Sequence, residues 1–289
     1  MKVLLLNKED DYKYKKNLPN EKELIQDLNL EVVFDAMSKG DSFLYKVSKE
    51  VVLDSLTELN QIIYRQDILA DCLKNKGIAL KIYNIANRTL KDADQYMEYT
   101  KPNFSKIIPM SKKVSNAVGL LKILIKNLED LNMVLSETKR VAHSSGLINL
   151  CNRLKVVLTN NFFIDVKYHI GELSCLLSSG EMMINAKIGK GMKGADYILN
   201  GLVRDELISN EPSNAKHRIF KKKPLQGISK KYIININTIT LNDNANEILD
   251  AGFVHILRVI NHFTNNTMSF FQSLKYEIVL LTYIVCFQN

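Results

Sequence analysis

Tryptophan is absent from the 289 residues, and glycine and proline are sparse, at 12 and 5. So little turn-forming material implies long regular elements with few tight turns. The four cysteines, Cys72, Cys151, Cys175 and Cys286, form no C-x-x-C pair, and each stands in an apolar helical context. That spacing argues against a zinc site or a disulfide framework and favours reduced structural thiols in a cytoplasmic protein. Long apolar runs are also missing. The longest, "IVLLTYIVCF" from Ile278 to Phe287, is about half of a bilayer span, so no membrane partner is expected. The opening "MKVLLLNKEDDYKYKK" has a short apolar run followed by acidic residues. It does not read as a signal peptide, and a short edge strand is expected instead.

Catalytic signatures are lacking too. No G-x-x-x-x-G-K-[ST] phosphate loop occurs, which removes that route to ATP. "GKGMKG", Gly189 to Gly194, matches G-x-G-x-x-G after a strand-like run. A dinucleotide site would need a helix opening there inside a βαβ unit, but the following "ADYILNGL" is β-like, so a glycine-and-lysine loop is the better reading. His143, His169, His217, His255 and His262 show no H-E-x-x-H spacing, although His255 and His262 could share a helical face. No hydroxyl or thiol has an identifiable base. The chain is expected to be no enzyme, with no catalytic residue, metal ligand set or cofactor of its own.

What is present is a globular balance, 46% apolar and 24% charged, with a net charge of +8. The charge is uneven: residues 187–231 hold nine Lys and two Arg against four acidic residues, a net +7. Lys190, Lys193, Lys221, Lys222, Lys223, Lys230 and Lys231 are the candidate phosphate contacts there, since neutralising DNA phosphates releases counterions. Aromatic interleaving is limited to Tyr197, Phe220 and Tyr232, so a solvated lysine-rich loop remains open beside DNA binding.

The periodicity predicts a mainly α protein: a multi-helix core with long lever helices and a small inserted β element. Amphipathic helices are expected over 20–37 and 56–74, the second opened by a Ser55/Glu58 capping box. A coiled-coil-like seam of Val114, Val118, Leu121, Ile125, Leu128 and Leu135 runs from Met110 to about Thr138, broken only by Asn132. Two more helices follow, Leu147–Leu158 and Phe162–Leu177, with Gly180 as C-cap. Between Gly180 and Gly227 lie six of the glycines, and "MMINAKI", "ADYIL", "HRIF" and "YIININTI" carry β patterning. Helix then returns from Asn242, with Ile248, Val259, Phe270 and Leu281 recurring every eleven residues and a candidate break at Asn265-Asn266. The expected division is 1–180 (arm and helical core), 181–240 (basic β insertion) and 241–289 (returning helix). The chain stops on "YIVCFQN", apolar and uncapped, which reads as a cut.

"DLNLEVVFDAMSKGDSFLYKVSKEVVLDSL" followed by "IIYRQDILADCL" resembles the start of the helical core domain of MutS-type DNA mismatch repair ATPases. The likeness is to a MutS-related branch that begins directly with this core. "MMINAKIGKGMKGADYIL" resembles that branch's glycine-rich β segment, and "NTMSFFQSLKYEIVLLTYIVCFQN" resembles the helix leading into its ATPase domain. The most specific parts are the Tyr64-Arg65-Gln66 helix and the "SFFQSLKYEI" helix. The resemblance implies a core/lever region that couples DNA binding to ATPase closure. Its full-length parent would bind ATP and Mg in a C-terminal domain, act on double-stranded or branched DNA, and form a homodimer. No Walker motif is present here, nor the Phe-x-Glu wedge of mismatch-reading MutS proteins. The alternative is a helical protein-interaction scaffold without intrinsic DNA affinity.

Gln66 raises a question of its own. A helix over 56–74 puts Leu59, Ile62, Ile63, Leu69, Ala70 and Leu73 on one face with Gln66 among them. The expectation is that Gln66 is a buried amide fixing helix register, inside a structural signature of Tyr64, Arg65 and Gln66.

Overall fold

The computed structural model describes residues 3–6, 20–38, 40–75, 77–101, 108–179, 181–188, 194–200, 229–235 and 243–286. The fold is mainly α. In chain order the helices are α1 (Glu21–Asp27), α2 (Leu30–Ser38), α3 (Ser42–Val52), α4 (Leu59–Lys74), α5 (Gly77–Tyr99), α6 (Met110–Thr138), α7 (Ser145–Thr159) and α8 (Asn161–Ser179). Three strands follow, β1 (Glu181–Ile188), β2 (Gly194–Asn200) and β3 (Ser229–Asn235), and then α9 (Asp243–Cys286).

The chain forms two compact units. The first comprises Met1–Tyr96, Ile123–Asn160 and Asn265–Asn289; the second comprises Met97–Lys122 and Asn161–Thr264. Both α6 and α9 contribute residues to each unit.

In the first unit, residues 20–37 do not form the single helix that the pattern suggests. The chain breaks after Asp27, and Asn29 takes a left-handed φ of 50°, a conformation that asparagine tolerates better than most residues. α3 opens on Asp41, whose carboxylate accepts from the Phe43 and Leu44 amides at 2.8 and 3.2 Å, a cap worth about 1 kcal/mol. Its buried face, with Leu44, Val47 and Val51, packs with Leu6, Met37 and Val279 into one apolar cluster. α5 buries Ala79, Ile82, Ile85, Ala86, Thr89 and Ala93, so small residues carry much of its contact face. The seam of α6 is not broken at Asn132: Leu128, Leu131 and Leu135 continue it, and Asn132 lies half-buried beside them.

α4 begins at Leu59, with Glu58 as N-cap and no side-chain cap bond, so the Ser55/Glu58 capping box does not form. Val3–Leu6 is not an edge strand either. Leu4 has φ 56°, which takes the segment off the extended path that a ladder requires.

In the second unit, β1 pairs antiparallel with both neighbours in the order β2-β1-β3. β1 covers "MMINAKI", β2 "ADYIL" and β3 the start of "YIININTI", while "HRIF" and Gly180 lie outside the described residues. Phe163 of α8 meets Phe263 of α9 at 6.1 Å between ring centroids, and Lys122 Nζ donates to Ser174 Oγ at 2.6 Å.

α9 runs 44 residues without interruption, through an exposed Asn265 and Asn266. Its buried stripe is Phe253, Ile260, Thr264, Thr267, Phe271, Leu274 and Ile278, a spacing of threes, fours and one seven. Val259, part of the expected eleven-residue repeat, is exposed, and Ile260 takes its place. Among the described residues no helix is long and apolar enough to cross a membrane.

Candidate functional site

The signature helix α4 buries Gln61, Tyr64, Ile68, Asp71 and Cys72. That face is rotated from the expected one: Leu59 and Ile63 are exposed, and so is Gln66. Gln66 is therefore no buried register amide. Its neighbours Tyr64 and Arg65 hold the inward positions, and both reach the Val3–Leu6 segment.

The contacts are directed at main chain. The Tyr64 hydroxyl donates to the Leu4 carbonyl at 2.6 Å, and Arg65 Nε donates to the Leu6 carbonyl at 2.6 Å. From α9, Glu277 Oε2 accepts the Leu5 amide and, at 2.9 Å, the Leu6 amide. Arg65 also pairs with Asp54 at 2.8 Å, and the Asp54 side chain is fully buried. Val3, Leu5 and Leu6 bury their side chains, and Leu6 joins the cluster with Met37, Leu44, Val47, Val51 and Val279. A single tetrapeptide is thus shared by the signature helix and by the C-terminal part of α9. The Arg65 and Glu277 bonds, each with an ionisable partner, are worth about 1.5–3 kcal/mol apiece and the neutral Tyr64–Leu4 bond about 1 kcal/mol, and losing one partner strands the other.

Electrostatics follow from the burial. Burial pushes the Glu277 carboxyl above the usual carboxylate range, against the Leu6, Leu5 and Leu4 amides and the Arg65 guanidinium, which pull it down. Burial, helped by the Glu277 charge, also raises the Tyr64 hydroxyl, which keeps it a donor.

α7 approaches α4 closely at Gly146. A Cβ there would lie 2.3 Å from Ile68 Cδ1 and 2.8 Å from the Tyr64 hydroxyl, so only glycine leaves Tyr64 in place. Next to this crossing, Asp71 Oδ2 accepts the His143 and Ser144 amides at 2.8 and 2.6 Å, satisfying donors at the start of α7. Burial acts to raise the Asp71 carboxyl, but the Ser144 and His143 donors outweigh it and hold it below the usual range. Burial pushes the Cys72 and Cys151 thiols up to about 12 and about 11. Such thiols are inert packing groups.

The candidate phosphate contacts divide. Lys230 and Lys231 lie in β3, in register with Ala186 and Asn185 of β1. Lys190, Lys193, Lys221, Lys222 and Lys223 lie outside the described residues, as does most of "GKGMKG". His255 and His262 are both exposed on α9, and among the described residues no group of three His, Cys, Asp or Glu could hold a metal.

Sequence reasoning missed the role of Val3–Leu6 and of Glu277. Glu277 stands in "SFFQSLKYEI", quoted above for its resemblance alone; an acid inside an apolar helical run was the available signal.

A family model described as the MutS2 N-terminal domain matches residues 57–288. The chain is also 28% identical over 116 residues to the ATP synthase subunit delta of Mycoplasma mobile, covering 40% of this chain and 58% of that protein. It thus spans just over half of that relative's length. No solved structure matches it.

Proposed function

This chain belongs to the MutS2 N-terminal domain family, and on that premise we propose that it is the core and lever section of a MutS-related DNA repair or recombination protein. In the full-length parent it couples DNA binding to closure of a C-terminal ATPase domain, which holds ATP and Mg. The parent works as a homodimer in the cytoplasm. The chain itself transmits movement and catalyses nothing.

The observation that carries this reading is α9. It is one unbroken helix of 44 residues that belongs to both compact units, and its C-terminal part is fastened into the first by Glu277. A hydrogen-bonded helix moves as a rod over several turns, so a displacement imposed at one end is delivered at the other. The +7 charge of residues 187–231 supports DNA contact by this region, with Lys190, Lys193, Lys221, Lys222, Lys223, Lys230 and Lys231 as its phosphate contacts.

Fluorescence anisotropy on plain, mismatched and branched duplexes at two salt concentrations tests this. Binding should weaken with salt. Changing Lys221, Lys222 and Lys223 to Glu should lower the log–log salt slope by roughly three and the affinity by about 10²-fold or more. Salt-insensitive binding, or no binding at low salt, contradicts DNA contact by this chain. A second reading, a protein-interaction scaffold, is favoured by the exposed Phe162, Ile164 and Tyr168 on α8, and it would then take precedence.

A further inference from the structure

Val3–Leu6 is an unusual part of the first unit. It is neither helix nor strand, yet Val3, Leu5 and Leu6 bury their side chains as deeply as the helical core. What holds it is side-chain recognition of its main chain: two carbonyls are taken by Tyr64 and Arg65, and two amides by Glu277. Capture of a segment's main-chain amides and carbonyls by fixed side chains, with its apolar side chains buried alongside, is a way in which proteins hold peptides.

Two features weigh against permanent attachment. Leu4 is held at φ 56°, a conformation a leucine leaves readily when free to relax. The segment also lacks a ladder or helix of its own, so release breaks no regular element.

We propose that Val3–Leu6 is a releasable strap, and that the groove it fills, between α4 and α9 in the first unit, is a peptide-binding site whose built-in occupant is this segment. Departure strips Glu277 of two donors, and Tyr64 and Arg65 of two acceptors, all at once. Occupancy of the groove and seating of the Glu277 turn of α9 are therefore coupled, whichever one is perturbed first. The strap is a means by which the seating of α9 is set from within the chain. This inference stands apart from the DNA reading, because its test involves no nucleic acid.

The test uses a fluorescein-labelled peptide of sequence MKVLLLNK and the chain lacking residues 1–6. The truncated chain should bind the peptide saturably, and a scrambled peptide should not bind. Introducing Arg65→Ala or Glu277→Ala should weaken binding by at least about tenfold, as expected for loss of a charge-assisted bond. In the intact chain the groove is filled and uptake should be weak. If the truncated chain does not hold its helices by circular dichroism, the peptide is supplied during refolding, and recovery of helicity supports the strap. Three results overturn it: a folded truncated chain that takes up no peptide, binding indifferent to both substitutions, or an unfolded truncated chain that the peptide does not restore.

Discussion

Two stretches of α9, Phe253–Thr264 and Phe270–Thr282, are held very differently. From Phe270 onward the helix buries Phe270, Phe271, Leu274, Ile278, Val279, Leu281 and Thr282, and Glu277 adds its bonds to Leu5 and Leu6. Between Phe253 and Thr264 it buries Phe253, Ile260 and Thr264, while Val254 and Val259 face water. The same backbone, with the same hydrogen-bond ladder, thus has a dense anchor toward one end and a narrow line of contact toward the other. Helix formation itself contributes little to this contrast. Tertiary burial decides it, because most helical stability in proteins comes from the packed face.

Truncating Phe271, which is fully buried, should break the anchor most severely. Phe271→Ala should cost about 3–5 kcal/mol in urea unfolding, while Val259→Ala should stay within about 0.5 kcal/mol. Equal losses would erase the contrast. A second pair compares the units through glycine. Gly146→Ala drives a methyl into Ile68 and Tyr64 and should destabilise by about 1–3 kcal/mol. Gly171→Ala on α8 meets nothing within 4 Å and should stabilise by roughly 0.5–1 kcal/mol, since alanine loses less backbone entropy in a helix.

The smallest effects are pH dependences of opposite sign. Asp71 is lowered in the fold, so its contribution is present above its unfolded value, about 3.9, and is lost as pH falls through the folded one. Glu277 is raised, so its contribution is full below its unfolded value, about 4.3, and is lost as pH rises through the folded one. Urea midpoints measured across pH should therefore lose the acid-side decline in Asp71→Asn and the decline above pH 4.3 in Glu277→Gln. Matching profiles in the two variants would contradict the assignments.

The helical class and the long helix α6 were legible because large apolar residues recur at spacings of three and four over many turns, and the family likeness was legible in particular stretches such as "IIYRQDILADCL" and "SFFQSLKYEI". The orientation of α4 was not. Two of its buried positions, Gln61 and Asp71, are polar, and Asp71 faces inward to accept the His143 and Ser144 amides, some 70 residues away in sequence. Counting apolar residues alone therefore turned the helix toward Leu59 and Ile63 and placed Gln66 inside. In α9 the buried Thr264, Thr267 and Thr282 disguised the stripe in the same way. α5 escaped notice because alanines and a threonine carry much of its packed face. The candidate site was half visible: Tyr64 and Arg65 were marked, but their partners lie about 60 residues upstream and Glu277 more than 200 downstream. No local period encodes such a meeting. Charge counting, by contrast, finds a region and not a geometry, and for Lys190, Lys193 and Lys221–Lys223 it remains at that level.

The most direct test of an anchored lever is native-state hydrogen exchange along α9 in the intact chain. Amides from Phe270 to Thr282 should exchange only through global opening, with protection at least about 10²-fold above that of Val254 to Phe263, which open locally. Uniform protection along the helix, or stronger protection in the Val254–Phe263 stretch, would contradict the account.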